Sequence, residues 1–189
     1  MRDAAPQTIH LTDYTPPAWL VDLVELDFTL DPAATRVRSR VRFVRNPEAS
    51  GGDLVLDGEN LTLISAAIDG AALTDNEYQR TDTALTVPAD RLPGDAFTWE
   101  AEVDIAPEGN TALEGLYMSG GMYCTQCEAE GFRKITYYPD RPDVMAPFTV
   151  RIHSPMPVLL SNGNPVDRHG PVAEWHDPWP KPAYLFALV

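Results

Sequence analysis

Apolar and polar residues alternate along several short stretches of this chain, which is the pattern of a strand with one buried face. In the first stretch Leu26, Phe28 and Leu30 are separated by single polar residues. The alternation returns in residues 36–43 and is most regular in residues 97–105. The three stretches predict three half-buried strands, and the first two are close enough along the chain to form a hairpin.

Shorter apolar runs and turn-forming dipeptides fill the rest of the chain. Asp57-Gly58 and Asp69-Gly70 are typical of tight turns. No stretch keeps a helical period over three turns, and the 18 prolines, nearly twice the usual roughly 5%, oppose helix interiors. We therefore predict an all-β fold, of the β-sandwich type, with residues 1–189 as one domain. Further strands are predicted at residues 54–56, 61–68, 84–87, 148–153, 158–161 and 172–175.

Four arginines occupy alternate positions of the second predicted strand, at 36, 38, 40 and 42. Such a row could bind phosphate or nucleic acid, or it could be a solvated strand face neutralised by acidic neighbours. Asp22, Glu25 and Asp27 of the preceding strand could supply those neighbours through cross-strand ion pairs. The net charge of −14 opposes both a nucleic-acid binder and adhesion to anionic membranes. We interpret the row as an ion-paired strand face.

The stretch Thr111–Phe148 differs in character, because it contains both cysteines and four of the seven tyrosines. Cys124 and Cys127 have the spacing of half a zinc site or of a redox pair, or they are ordinary thiols. The three downstream histidines lack the H-x₃₋₅-H spacing, and the surroundings are predicted as β and not as the βαβ unit of a redox protein. We therefore favour ordinary thiols and predict no metal ligands in this chain.

Motifs of the common enzyme classes are absent from the sequence, which has no H-E-x-x-H, G-x-S-x-G, P-loop or G-x-G-x-x-G. It has no run of about 20 apolar residues, and its first ten residues lack the apolar core of a secretory signal. Two cysteines at this spacing do not make a disulfide framework. From the residues alone we expect a cytoplasmic, non-catalytic β domain with one unusually polar segment.

The most specific motif of the chain is CTQCEAEGFR at residues 124–133. Other long motifs are NTALEGLY at 110–117, ITYYPDRPDV at 135–144, LSNGN at 160–164, DPWPKP at 177–182 and YLFALV at 184–189. Together they resemble the aminopeptidase N family, in its Gram-negative bacterial branch of alanyl aminopeptidases. The resemblance covers essentially the whole chain.

This resemblance implies that the chain is the N-terminal β domain of a longer zinc aminopeptidase, which releases N-terminal amino acids from peptides. The implied fold is a saddle-shaped, mostly antiparallel β structure packed against a thermolysin-like catalytic domain. By resemblance, the zinc ion, its H-E-x-x-H ligands and a G-A-M-E-N segment belong to that catalytic domain, so the chain alone should be inactive. The implied partners are the peptide N-terminus and the chain's own catalytic domain, without nucleic acid or membrane.

The family's T-Q-x-E motif matches residues 125–128. By resemblance, Glu128 binds the free α-amino group of the peptide and Gln126 lines the pocket for the first side chain. An α-ammonium, with a pKa of about 7.7–8.0, is largely charged at neutral pH and suits a carboxylate partner. In a strand, positions i and i+2 would place both side chains on one face. The alternative for Glu128 is an exposed carboxylate beside Arg133 or Lys134.

Two other functions stay open. The chain could be a free-standing β-sandwich module that binds carbohydrate or protein, or a non-catalytic relative that uses this domain for protein assembly. Continuation past Val189 into G-A-M-E-N and H-E-x-x-H segments would favour the aminopeptidase. The apolar and aromatic residues 184–189 indicate a buried last strand, an interdomain boundary or both.

Overall fold

The computed structural model describes residues 10–189. In this part of the chain the regular structure consists of strands and single-turn 3-10 helices. The strands are β1 (Trp19–Thr29), β2 (Thr35–Arg45), β3 (Leu54–Asp57), β4 (Thr62–Ile68), β5 (Ala71–Ala72), β6 (Gln79–Arg80), β7 (Ala84–Val87), β8 (Ala96–Ile105), β9 (Gly115–Ser119), β10 (Met122–Gln126), β11 (Met145–His153), β12 (Asn164–His169) and β13 (Val172–Pro182). The 3-10 helices are Leu11–Asp13, Ala89–Arg91, Pro107–Gly109, Phe132–Lys134 and Ala183–Leu185.

Eight of these strands form one large sheet in the order β12-β13-β11-β1-β2-β8-β4-β5. Neighbours in it are antiparallel except β1 and β11, which run parallel with Val24 opposite Phe148. β3, β7 and β6 form a small antiparallel sheet, and β9 and β10 form a separate hairpin. The prediction of an all-β, mostly antiparallel fold is confirmed. Among residues 10–189 no helix is long and apolar enough to cross a membrane.

One hydrophobic cluster joins the large and the small sheet. In β2 burial alternates residue by residue, with Val37, Val41 and Phe43 fully buried and the arginines facing outward. β8 alternates in the same way around the fully buried Trp99. The small sheet contributes Leu54, Leu56, Leu85 and Val87. The period-two pattern of the sequence therefore corresponds to one buried face on each long strand.

The outer face of β2 is a row of ion pairs. Arg40 Nη1 lies 2.9 Å from Glu25 of β1, which confirms the predicted cross-strand pairing within the hairpin. The sequence analysis missed a second acidic partner strand, β8. Arg40 Nε lies 3.0 Å from Glu100 of that strand, and Arg36 donates Nε and Nη2 to the two carboxylate oxygens of Asp104, both at 2.7 Å. The arginine row lies between two acidic rows.

The Asp57-Gly58 dipeptide does not form the predicted tight turn. Asp57 ends β3 and exchanges two backbone hydrogen bonds with Tyr138, of 2.9 and 3.1 Å. Gly58 then packs against the Tyr137 ring, where a Cβ would lie 2.3 Å from the nearest ring carbon. The glycine permits this close approach and does not turn the chain. The Asp69-Gly70 prediction is confirmed, because both residues have positive φ, 51° and 77°, between β4 and β5.

The strand predicted at residues 158–161 is wrong, and the strand considered as one alternative for residues 184–189 does not form. The first is irregular except for an isolated bridge between Ser161 and Leu188. The second starts within a 3-10 helix, after which Phe186 and Leu188 are buried individually. The apolar composition of these segments therefore reflects side chains packed into the core from irregular backbone, which a pattern of apolar residues does not distinguish from a strand.

Replacing Arg36 by glutamine should weaken the fold at neutral pH and much less at low pH. The hydrogen bonds from Arg36 hold the pKa of Asp104 below its usual value. Because the folded-state pKa is lowered, this stabilisation is complete above the unfolded value of about 3.9 and is lost as the pH falls through the folded value. Urea unfolding at pH 7 and pH 3 measures the difference between variant and parent.

Arg91→Gln, at an exposed position, is the matched control for that measurement. It should not reproduce the pH-dependent difference. A loss of stability in Arg36→Gln that is equal at the two pH values would contradict the role assigned to the Arg36–Asp104 pair.

Candidate functional site

The hairpin of β9 and β10 leads into a loop of residues 127–131, called the loop below. Gln126 is the last residue of the hairpin, and Glu128 lies in the loop. β9 and β10 pair with Gly115 opposite Gln126 at the open end. At the closed end Gly120 and Gly121 have positive φ of 57° and 83°, as in a two-residue type I′ turn. A Gly-Gly pair between two β-prone runs is a hairpin signal, so the sequence carried a mark of this element that the strand predictions omitted.

Gln126 and Glu128 do not share a strand. β10 ends at Gln126 and the chain turns through residues 128–131, so the expected i, i+2 strand geometry is wrong. The two residues are joined in another way, because Gln126 Nε2 donates a hydrogen bond of 3.2 Å to the backbone carbonyl oxygen of Glu128. Both residues are exposed, and the Glu128–Ala129 peptide bond is cis.

The turn after Glu128 is closed tightly against β10. The backbone N–H of Gly131 donates a 2.8 Å hydrogen bond to the carbonyl oxygen of Cys127. A Cβ on Gly131 would lie 2.2 Å from the carbonyl oxygen of Gln126 and 2.9 Å from the nitrogen of Gly115. These are backbone atoms that cannot rotate away, so the conformation of the loop requires glycine at this position.

Three glutamates border a groove of about 230 Å³ beside this loop, Glu114, Glu128 and Glu130. Lys134 Nζ donates to Glu114 at 2.5 Å, and Arg133 Nη2 lies 3.7 Å from Glu130. Within residues 10–189 the Glu128 carboxylate makes no hydrogen bond or ion pair. Glu128 is exposed, as in the alternative considered from the sequence, but both basic residues pair with other carboxylates.

Arg133 is held at both its backbone and its side chain. Its backbone N–H and its Nε donate to Asp140 Oδ2 at 3.1 and 3.2 Å, and its Nη2 donates to the Asp140 carbonyl oxygen at 3.2 Å. Asp140 is buried, and its backbone N–H donates to Asp57 Oδ2 at 2.9 Å. Desolvation raises the pKa of Asp140, and the hydrogen bonds and charge of Arg133 oppose that rise.

The two cysteines are free thiols, and Cys127 is buried. Burial raises the pKa of the Cys127 thiol to about 12, so the reactive thiolate is scarce at neutral pH. In the described part of the chain no group of three or more His, Cys, Asp or Glu side chains could hold a metal ion. The Cys127 thiol therefore contributes packing to this segment and not redox chemistry.

The C-terminal segment, residues 183–189, contacts β10 and the residue that follows the loop. Thr125 Oγ1 donates to the carbonyl oxygen of Leu188 at 3.1 Å and accepts from its backbone N–H at 2.9 Å. Phe186 meets Phe132 edge to face, with ring centroids 5.2 Å apart. The loop is therefore connected to the last residues of the chain on both sides.

Sequence reasoning identified Gln126 and Glu128 but missed the residues that hold them. Arg133 was considered only as a neighbour of Glu128. Its pairing with Asp140 has no periodic signature, because a 3-10 helix and the bridge at Tyr138 bring the two residues together. The only signal for Gly131 was its place in the 124–133 motif.

The fold and the loop define a class of protein, a β domain that has an exposed carboxylate beside a groove and no metal site among residues 10–189. A family model described as "Peptidase M1 N-terminal domain" matches residues 19–185. The chain belongs to this family, the N-terminal domains of the M1 peptidases.

Curated relatives carry the name aminopeptidase N. The chain is 50% identical to that of Caulobacter vibrioides over 198 residues and 45% identical to that of Escherichia coli over 194 residues. The matches cover 100% and 97% of this chain but 22% and 21% of the relatives. The predicted resemblance is confirmed, and the chain spans about a fifth of the length of these relatives.

Solved structures agree with the fold. Aminopeptidase A of Legionella pneumophila, crystallised with aspartic acid, is 36% identical with a TM-score of 0.86, over 94% of this chain and 22% of that one. The native yeast LTA4 hydrolase is 22% identical with a TM-score of 0.73, over 90% of this chain and 28% of that one. The second likeness concerns the fold alone.

Replacing Gly131 by alanine should displace the loop and destabilise the protein by about 1–3 kcal/mol, the usual cost of overpacking. The reason is that the new Cβ would overlap backbone of Gln126 and Gly115. Gly109→Ala is the control, since the nearest atom to a Cβ there is 4.0 Å away. Urea unfolding should show a loss for Gly131→Ala alone, and equal stability of the two variants would refute the packing argument.

Proposed function

We propose that this chain is the N-terminal domain of a zinc-dependent aminopeptidase, in which Glu128 binds the free α-amino group of a peptide and Gln126 lines the pocket for the first side chain. The observation that carries the proposal is the exposed Glu128 carboxylate, which has no partner within residues 10–189 while the other two glutamates of the groove are paired. Curated relatives named aminopeptidase N support the enzyme class. Release of N-terminal amino acids then belongs to the full-length protein.

A peptide α-ammonium is a suitable ligand for such a carboxylate. It is a compact cation with three N–H donors, and a charge-assisted hydrogen bond to a carboxylate contributes about 1.5–3 kcal/mol. Lys134 and Arg133 offset the charges of Glu114 and Glu130, so the ammonium is drawn to Glu128 and not shared by three carboxylates. Holding the amine at one point sets the register of the peptide, so that only the first peptide bond reaches the catalytic groups.

Gln126 has two functions in this proposal. Its Nε2 donates to the carbonyl oxygen of Glu128 and thereby restrains the backbone that carries the amine ligand. Its Oε1 remains an acceptor at an exposed position, where a substrate side chain can contact it.

Exposed apolar side chains support packing against a catalytic domain. Leu160 and Val189 exchange backbone hydrogen bonds of 2.8 and 3.0 Å, and their side chains are exposed together with that of Leu185 nearby. Apolar residues exposed in one region are typical of interaction surfaces. We propose that the rest of the enzyme covers this surface, which would make the catalytic domain and the peptide N-terminus the partners of the chain.

The zinc ion of the proposed enzyme does not fit the residues of this chain. The related Deinococcus radiodurans protein of known structure is described as an M1 zinc metallopeptidase. Within residues 10–189, however, no group of three or more potential ligands lies close together. We therefore assign the zinc ligands and the chemical step to residues outside this chain, and substrate positioning to residues inside it.

We propose that the protein is cytoplasmic, and its two free thiols are consistent with a reducing compartment. We also take residues 1–189 as a single domain, since one hydrophobic cluster connects the described sheets.

A second function, protein assembly without catalysis, would use the same apolar surface at Leu160, Leu185 and Val189. Sequencing the gene beyond Val189 distinguishes the two. A following H-E-x-x-H segment favours the aminopeptidase, and its absence favours the assembly module.

Glu128→Gln in the full-length enzyme should lower kcat/KM for an unblocked aminoacyl anilide by about 10- to 100-fold, because the ammonium loses its charged acceptor. The loss should fall mainly on KM, since the residue positions substrate and does not break a bond. Steady-state kinetics at pH 7 measure both constants. Glu108→Gln, which removes an exposed carboxylate outside the groove, should leave them unchanged. Unchanged kinetics of Glu128→Gln would remove Glu128 from the site.

The 189-residue chain alone should neither hydrolyse aminoacyl anilides nor bind zinc at the stoichiometry of a catalytic site. The reason is that the reacting groups are assigned to residues outside it. Fluorimetric assay and isothermal titration with zinc check both points, with the full-length enzyme as positive control. Anilide hydrolysis by the purified 189-residue chain would contradict the assignment of the reacting groups to residues outside it.

A further inference from the structure

We propose that Arg133 is a positioning residue for Glu128, which acts by fixing the exit of the loop that presents this glutamate to the substrate amine. The inference rests on the proposed function, because its readout is the binding of an unblocked substrate.

The loop has two ends that are held by different means. Its entry follows β10, where Thr125 is bonded to the C-terminal segment and Gln126 restrains the Glu128 carbonyl group. Its exit is the 3-10 helix Phe132–Lys134, which begins directly after the tightly packed Gly131. A loop this short transmits a displacement of either end to the residue in its middle.

Arg133 fixes the exit through its backbone as well as its side chain. The backbone N–H donates to Asp140, and the backbone carbonyl accepts from the N–H of Glu59 at 3.0 Å. Asp140 is bonded in turn to Asp57 at the end of β3. The exit of the loop is thus attached to the small sheet, which lies far from Glu128 in sequence.

The guanidinium group makes contacts that a lysine ammonium cannot reproduce. Nε and Nη2 reach the Asp140 carboxylate and carbonyl oxygens, while Nη2 and Nη1 also lie 3.7 Å from Glu130 and 3.9 Å from Glu59. A planar fork with five donors spans such a set, and a single point charge does not. The side chain is only 15% exposed, so water has little access to replace lost contacts.

The contact with Glu130 gives Arg133 a direct link to the loop. Glu130 is two residues after Glu128 and borders the same groove. Attraction to Arg133 holds the segment that directly follows Glu128 toward the exit helix. This contact therefore adds to the positioning of Glu128.

Arg133→Lys in the full-length enzyme tests the proposal, because lysine keeps the positive charge beside the buried Asp140. KM for an unblocked aminoacyl anilide should rise by about tenfold, with kcat changed by less than about twofold. Arg151→Lys is the matched control, since it alters an exposed arginine paired with Glu174 on the outer face. It should leave both constants unchanged.

A double-mutant cycle separates positioning from general support of the fold. In the Glu128→Gln background, Arg133→Lys should change KM by no more than about twofold, because the group that Arg133 positions is no longer there. A rise of about tenfold in both backgrounds would show that Arg133 acts independently of Glu128, and would overturn the inference. Unchanged KM in the single variant would also overturn it.

A second variant keeps the test decisive where Arg133→Lys folds poorly. Glu130→Gln removes a charge at a side chain that is 48% exposed, and it leaves the Arg133–Asp140 pair in place. Glu130→Gln should raise KM when Glu128 is present and change it by no more than about twofold in the Glu128→Gln background. An unchanged KM in the Glu130→Gln single variant counts against the proposal. Should Glu128→Gln itself have no effect on KM, the proposed function fails first, so the two failures are distinguishable.

Discussion

The packing of Phe132 is the constraint on which the rest of the molecule depends. This fully buried ring contacts Tyr138, Phe148 and Phe186, at centroid distances of 5.1, 6.0 and 5.2 Å. Phe148 belongs to the large sheet, Tyr138 bridges the end of β3 in the small sheet, and Phe186 lies in the C-terminal segment. One side chain thus joins three parts of the fold. Because it immediately follows the loop, the same packing places the candidate site.

Charge has different effects on the two sides of the domain. On the outer face the exposed arginines of β2 lie between acidic rows, where each pair contributes little to stability but the row keeps the face solvated. It also specifies register, since a shift by one residue would turn the charges toward the core. Beside the loop, Arg133 and the buried Asp140 form a pair in which loss of one partner leaves an uncompensated charge. The arginine row of β2, which is obvious in the sequence, has a structural role. Arg133, which no sequence pattern marks, lies at the candidate site.

Of the three carboxylates that border the groove, those of Glu114 and Glu130 have basic partners, whereas that of Glu128 has none within residues 10–189. Because this carboxylate is exposed, it is accessible to a ligand from outside. The ligand chemistry that fits is a compact cation, and under the proposed function this cation is the α-ammonium group of a peptide.

The sequence by itself determined the strand-rich fold, the β1–β2 hairpin and its ion pairs, and the family motif that singles out Gln126 and Glu128. These features were predictable because alternation, turn dipeptides and motifs act over a few neighbouring residues. Only the tertiary structure decided the parallel pairing of β1 with β11, the end of β10 at Gln126, and the contacts of Arg36 and Arg133. Arg36 meets its partner across 68 positions, and Arg133 meets its partner through irregular backbone. The alternation of β2 and β8 is visible in the sequence, but the pairing of Arg36 with Asp104 is not, and the contact of Arg133 has no period at all, because each contact depends on where distant segments pack.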